Sequence, residues 1–424
     1  MLLQEINKKV YTAEEIFEAD GKNTHLDHAE ELVFMKGEAG LQQVIKTFYG
    51  LLNILDGQGD GPSVTTKWDG APAVFAGIDP ADGQFFVGTK GVFAKTPKLN
   101  KSQDDIAANH PDVKSGGETV DKSGLRSKLS ASLEYLKGLG IKGVVQGDLL
   151  WTKGDLKTVA IDGERYIAFT PNTITYVVPE NSETAAAMKA AEIGIVFHTN
   201  YEGDSIQDMK ASFGFNADQL TRTPQVWFDD ARIKDVSGQV QLTPQDSARI
   251  RTAINMLENL KINAQAFKVL DKELPIDLVV ELKAHANAPI RAGKGFTKDP
   301  SKFANDFIEK IYDRYETQLD NLKTGREGPA GQRKLAVQQQ VVDYLKKNSA
   351  NIQQMYMAYL GVESIKMLFQ RKMKEIKAID SFIEQPDGSF KVTDPEGFVI
   401  VDHEGNAMKI VDRLEFSAAN FAKD

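Results

Sequence analysis

The segment SVTTKWDGAPAVFAG, residues 63–77, decides how the rest of the chain is read. Its β-branched and aromatic residues predict one strand over SVTTKW and a second over PAVFAGID, separated by an Asp69-Gly70 turn. GQFFVGTK follows another Asp-Gly turn, so residues 63–96 read as a β-meander. Lys67 carries a charge at the end of the first strand, where water is scarce. The turn after it contains a glycine, which leaves room for a ligand to approach the backbone.

Outward from this segment, residues 1–56 read as helical, with 3.6-residue apolar spacing in HAEELVFMKG and GLQQVIKTFYGLLNIL and a glycine break between them. Residues 100–124 are polar and rich in Gly and Ser, and are expected to form a mobile surface loop. A helix is predicted in LRSKLSASLEYLKGLG, strands in GVVQGDLLW, KTVAIDGERYIAFTP and TITYVVP, a helix in SETAAAMKAAEIG, and a strand in IVFHTNY. Beyond about residue 205 helix signals dominate, the clearest being Thr243 as N-cap with Pro244 as first helical residue. Strands return in SFKVTDPEGFVIVDHEGNAMKIVDRLEF, whose arms flank a turn near Gly405. An isolated hairpin is barely stable in water, so it must join the strands of residues 63–200. The expected fold is α+β and discontinuous. Residues 1–60 form an N-terminal helical segment packing on the catalytic domain, residues 61–205 plus 385–424 an antiparallel-rich two-sheet domain, and residues 206–384 a large helical insertion that binds substrate.

The 424 residues include no cysteine, which excludes disulfides and thiolate chemistry. No apolar run is long enough to span a membrane, and the N-terminus lacks signal-peptide character, so a cytoplasmic protein is expected. A net charge of −9 argues against sequence-blind nucleic-acid binding over the whole surface. Contacts of that kind must be local, and two candidates lie in the helical block. One is the predicted helix carrying Lys366, Arg371, Lys372, Lys374 and Lys377, and the other is the glycine-rich loop around Lys294. His25 and His28, with Asp27 and Glu31 nearby, read as a helix surface capped by Thr24 rather than a metal site.

Five short motifs occur in chain order: KWDG at 67–70, GTKG at 88–91, GDLLW at 147–151, EGFVI at 396–400 and MKIVDR at 408–413. In that order they resemble motifs I, Ia, III, IV and V of the covalent nucleotidyltransferases, the superfamily of ATP-dependent DNA and RNA ligases and mRNA capping enzymes. The resemblance implies a two-sheet adenylation fold, ATP and Mg2+ as cofactors, and Lys67 as the nucleophile that becomes lysyl-AMP. The chemistry suits these residue types. An amine attacks the α-phosphorus only once it has lost its proton, and the charge that develops on the phosphates calls for cations. By resemblance, Thr66, Asp69, Gly70, Lys90, Asp148, Phe169, Glu396, Lys409 and Arg413 bind the nucleotide, and Asp148 and Glu396 hold the metal.

YIAFTPNTITYVVPENS is similar to motif IIIa of the T4-type phage RNA ligases, which implies that Phe169 or Tyr166 stacks on the base. Pro72 stands where DNA ligases usually carry arginine, and the eleven residues after Arg413 leave no room for an OB domain, so an RNA ligase is expected. Three features depart from the pattern. Val411 replaces the second motif V lysine, a loss that Arg413, Lys90 or Lys95 would cover; motif III has Asp148 where Glu is usual; and the helical block separates motifs IIIa and IV. The expected reaction joins 5′-phosphate and 3′-hydroxyl ends of RNA more readily than of DNA, with Lys294, Arg371, Lys372 and Lys374 contacting the nucleic acid. The alternatives are a DNA nick ligase, another lysine nucleotidyltransferase, or a non-catalytic protein that binds nucleic acid or protein.

Overall fold

The computed structural model describes residues 26–58, 61–115, 118–161, 163–232, 242–260, 262, 264–322, 325–374, 380–384, 390–392, 397–402 and 404–414. Among them the chain is α+β, with sheets that are antiparallel apart from one edge strand. It divides into two compact bodies. One is built on residues 63–234 and 377–407, the other on residues 27–62 and 235–376 and the chain from Met408.

The strands of the first body are β1 (Ser63–Lys67), β2 (Ala73–Ile78), β3 (Phe85–Gly88), β4 (Val113–Ser115), β5 (Glu118–Val120), β6 (Val144–Thr152), β7 (Lys157–Ile161), β8 (Glu164–Phe169), β9 (Thr175–Pro179), β10 (Ile193–Glu202), β11 (Lys210–Phe213), β12 (Val226–Asp230), β13 (Asp380–Glu384), β14 (Phe390–Val392) and β15 (Gly397–Val401). One sheet runs β11-β10-β6-β2-β3, with β12 parallel on β10; a second runs β14-β13-β9-β8-β7. Alternation along β2 divides its side chains between the two faces. Val74 and Ala76 join Leu129 and Leu136 of the helix Ser123–Leu136 in one core, while Phe75 joins Phe86, Val144 and Tyr201 in another.

Three expectations for this body are corrected. β2 and β3 form the predicted hairpin, but β1 is not part of a meander. It pairs with β15, over three hundred residues away, because the residues after Lys67 turn out of the strand direction to bond with β6 and Tyr176. The segment 100–124 is not a plain loop. Ser102 and Asp105 form a reciprocal capping box that starts the helix Gln103–Asn109, and β4 and β5 pair as a short ribbon. The body also extends past residue 205 to 234, since β12 and then β11 pair along successive halves of the β10 edge that β6 leaves open.

The second body is helical, and it includes residues 27–60 of the segment expected to pack on the catalytic domain. The helix Gly37–Leu55 buries Leu41, Val44, Ile45, Phe48, Leu51, Leu52 and Leu55, with Phe48 set 5.3 Å from Phe369 of the helix Ser349–Met373. This apolar stripe finds its partner within the helical body. Phe34, Phe303, Tyr356 and Tyr359 stack at the centre, with Phe303 and Tyr356 rings 3.6 Å apart. The helix Pro244–Glu258 starts as the sequence suggests, Asp246 donating its N–H to the Thr243 hydroxyl at 3.1 Å. The terminal turn also falls as expected. Gly405 adopts φ 82°, which favours glycine, and donates to the Asp402 carbonyl. β16 (Ala407–Val411) follows it and enters the second body at Met408. No helix among the described residues is long and apolar enough to cross a membrane.

Candidate active site

β1 ends at Lys67, whose Cα partner across the antiparallel pair is Gly397. The strand is anchored on both sides: Thr65 Oγ1 donates to the Val399 carbonyl, and the Thr66 N–H donates to the Ala231 carbonyl at 2.7 Å. Lys67 is half-buried at this fixed end. The turn after it is equally restrained. Trp68 packs 4.9 Å from Tyr176, whose hydroxyl accepts the Asp69 N–H at 2.8 Å. The Asp69 carboxylate accepts from the Asn172 amide at 2.8 Å and from the Thr173 and Ile174 N–H groups at 2.7 and 3.0 Å. A carboxylate engaged by three protein donors holds the turn in place.

Gly70 is required by a close approach, since a Cβ there would stand 2.4 Å from Asp148 Cβ. Backbone bonds from Ala71 to Leu149 and from Leu149 to Pro72 hold the turn against β6, and Lys128 Nζ donates to the Ala71 carbonyl at 3.0 Å. Asp148 is thereby fixed beside the turn. It lies opposite Ala73 on β2 and Val196 on β10. The register of β10 shifts between Phe197 and Thr199, so His198 sits at the irregularity, with Nε2 3.8 Å from the Asp148 carboxylate and Nδ1 2.7 Å from the Thr199 hydroxyl. Bulges re-aim side chains in this way, and only the β6–β10 pairing reveals this one.

The structure therefore brings Thr66, Lys67, Asp69, Gly70 and Asp148 together. Lys90 is exposed, in the turn Lys90–Phe93 that follows β3. Phe169 is 1% exposed and packs on Tyr176, with ring centroids 5.4 Å apart; it is a core aromatic, buried where a stacking base was expected. Tyr166 is half-buried on β8 against Ala168 and Val177. Glu396 lies outside the described residues. Sequence reasoning missed Trp68, Asn172, Tyr176 and His198 as parts of this site. For Asn172 the signal was the polar TPNT turn between two strands; for His198 there was none.

Lys409 and Arg413 belong to the second body. The Lys409 N–H donates to the Asp27 carbonyl at 3.0 Å, and its strand bridges His28. Arg413, expected at the nucleotide, is committed elsewhere: its guanidinium lies 3.3 Å from both Glu30 and Glu31 and donates to Asn287 at 2.7 Å. Lys283 binds Asp27 at 2.6 Å and Glu31 at 3.2 Å, and Lys366, fully buried, bonds Glu30 at 2.9 Å and also Glu363. Burial alone would raise the Glu31 carboxyl, but Lys283 and Arg413 outweigh it and hold the group below its ordinary value. Lys366 is thus not part of a basic surface. Lys372 is paired with Asp246 at 2.6 Å, while Arg371 and Lys294 are exposed. Of the segment read as a helix surface capped by Thr24, His25 and Thr24 lie outside the described residues, and Asp27 and Glu31 pair with Lys283. Among the described residues no three His, Asp or Glu side chains gather as a metal site.

No curated protein and no solved structure matches the chain. A family profile does, over residues 23–424, and the chain belongs to that family of unknown function, DUF6267.

Proposed function

We propose that the chain is a lysine-adenylylating nucleotidyltransferase with a ligase-type adenylation fold, and that it joins polynucleotide ends, RNA in preference to DNA. The observation that carries this reading is the pairing of Lys67 with Gly397, which sets the glycine of EGFVI directly across from the lysine of KWDG. Motifs from opposite ends of the catalytic body meet at one strand end, beside Asp148. In the first step Lys67 Nζ, having lost a proton to water, attacks the α-phosphorus of ATP. The N–P bond forms, the bond to the β-phosphate oxygen breaks, and pyrophosphate leaves with the electron pair. A 5′-phosphate oxygen then takes the adenylate from Lys67, and a 3′-hydroxyl displaces AMP to seal the strand.

The roles of this chain's residues follow from what they touch. β15 and Thr66 fix the height of Lys67, and the Asp69 carboxylate locks the turn that follows. Gly70 lets the turn backbone pack directly against Asp148. The Asp148 carboxylate is a hard oxygen donor of the kind Mg2+ takes, and by resemblance Glu396 completes the pair; the ion supplies charge neutralisation at the phosphates.

The test is mass spectrometry of the purified protein after incubation with ATP and Mg2+. The expected result is a gain of one adenylate, absent in Lys67→Ala; no gain, or an undiminished gain in that variant, refutes the reading. Labelling with GTP instead of ATP would mark a capping-type enzyme, and end-joining assays on RNA and DNA oligomers identify the acceptor.

A further inference from the structure

The helix Ser349–Met373 offers little free charge to a polyanion, because Lys366 is buried on carboxylates and Lys372 is paired with Asp246. The catalytic body has a better surface. β3 ends with Gly88 opposite Phe75 of β2, and Ala73 of β2 is opposite Asp148, so the chain leaves β3 toward Lys90 at the Asp148 edge of the sheet. It then folds back on itself. Ala94 and Lys98 both donate N–H to the Gly91 carbonyl, at 3.2 and 3.0 Å, and the Lys98 stem lies over Gly91, 3.5 Å from where a Cβ would stand. Lys98 Nζ reaches the Asn109 carbonyl at 3.4 Å. Lys122 is drawn to the same place, since Asp112 accepts its N–H at 2.8 Å while Arg126 binds both Asp112 and the His110 carbonyl.

The charge of this surface is one-sided. Between Gly88 and Ser102 there are four lysines and no acidic residue. Lys101 is taken by Asp79 and Asp82, but Lys90, Lys95, Lys98 and Lys122 form no ion pair among the described residues. Of the nearby carboxylates, Asp105 caps its helix, Asp112 is bound by Arg126, and Asp121 accepts from Ser123 and lies 3.9 Å from Arg126, which leaves Asp104 exposed without such a partner among the described residues. His110 registers the resulting field: burial first, then Lys98 and Lys122, hold its ring below the ordinary histidine value. Lys128, on the Ala71 carbonyl, continues the positive charge to the Lys67 turn.

We propose that Lys90, Lys95, Lys98 and Lys122 form a track for the phosphodiester backbone of a polynucleotide strand entering the candidate active site. The identification of that strand as substrate rests on the function proposed above. Lysine ammonium groups act as non-directional point charges, which suit a repeating phosphate chain read without regard to sequence. The chain as a whole is acidic, so binding is confined to this strip.

The experiment measures binding of a 5′-phosphorylated single-stranded RNA oligomer to the full chain over a salt series, for wild type, Lys98→Ala/Lys122→Ala and the control Lys157→Ala/Lys210→Ala. The track variant is expected to bind on the order of tenfold more weakly at low salt, with a log–log salt slope shallower by about 1.4, while the control matches wild type. Any of four results overturns the proposal: no binding by wild type, an unchanged slope in the track variant, an equal loss in the control, or an equally tight hold on poly-glutamate that the track variant also loses. Lys67 adenylation is measured on the same samples. The track variant is expected to keep it, which excludes misfolding. Binding without adenylation in wild type refutes the proposed function and leaves the track standing.

Discussion

Asp69 accepts three hydrogen bonds from the residues that follow β8, and through them one carboxylate sets the position of the neighbouring Lys67. Asn172→Asp puts a second carboxylate 2.8 Å from the first and replaces attraction with repulsion. Lysyl-adenylate formation in single-turnover labelling is expected to fall about tenfold or more, and Asn172→Ala to lose less, since a hydrogen bond to a charged group contributes roughly 1.5–3 kcal/mol. Equal rates in all three proteins would remove the positioning role. Gly70→Ala tests the other side of the turn. Its methyl group meets Asp148 at 2.4 Å, so urea unfolding should report a loss of about 1–3 kcal/mol from overpacking.

Among the elements, the helix Ser349–Met373 shows what periodicity can reveal and what it cannot. Ile352, Met355, Tyr359, Val362, Ile365 and Phe369 recur at helical spacing and are buried as the pattern requires. Lys366 falls on the same face, between Val362 and Phe369, and is buried with them. Residue type suggested a basic surface, but the face decided burial, and Glu30 and Glu363 make that burial tolerable. Lys366→Met removes the cation and leaves two carboxylates in an apolar core, so a loss of about 3–5 kcal/mol in unfolding free energy is expected. Glu30→Gln in the same chain should restore part of it; a Lys366→Met protein as stable as wild type would show the pair to be unimportant.

At the scale of the whole molecule, one ion-pair cluster of the second body sets Asp27, Glu30, Glu31 and Glu363 against Lys283, Lys366 and Arg413. Burial, and then Glu30, push the Glu363 carboxyl up from 4.5 to about 7, so the folded chain keeps a proton that the unfolded chain gives up. The sign follows from linkage. The folded state binds more protons, so this group's contribution is complete below pH 4.5 and is lost as pH rises through about 7. Glu31 acts in the opposite sense, its lowered value adding stability above its unfolded titration and losing it on acidification. Urea unfolding across pH 4.5–8 should therefore show a decline in wild type that Glu363→Gln flattens. Parallel curves for the two proteins would assign the slope to other groups.

By itself the sequence determined the α+β character, most strand and helix positions, the Thr243 cap and the turn at Gly405, because propensity, apolar period and turn chemistry act over a few residues. It also marked Lys67 and the motifs around it. Tertiary structure alone decided that β1 leaves the meander for β15, that residues 27–62 join the helical body, that Phe169 and Lys366 are interior, and that His198 faces Asp148. Those outcomes depend on strand pairing and on which face of an element is covered, and both are fixed by residues far away in the chain.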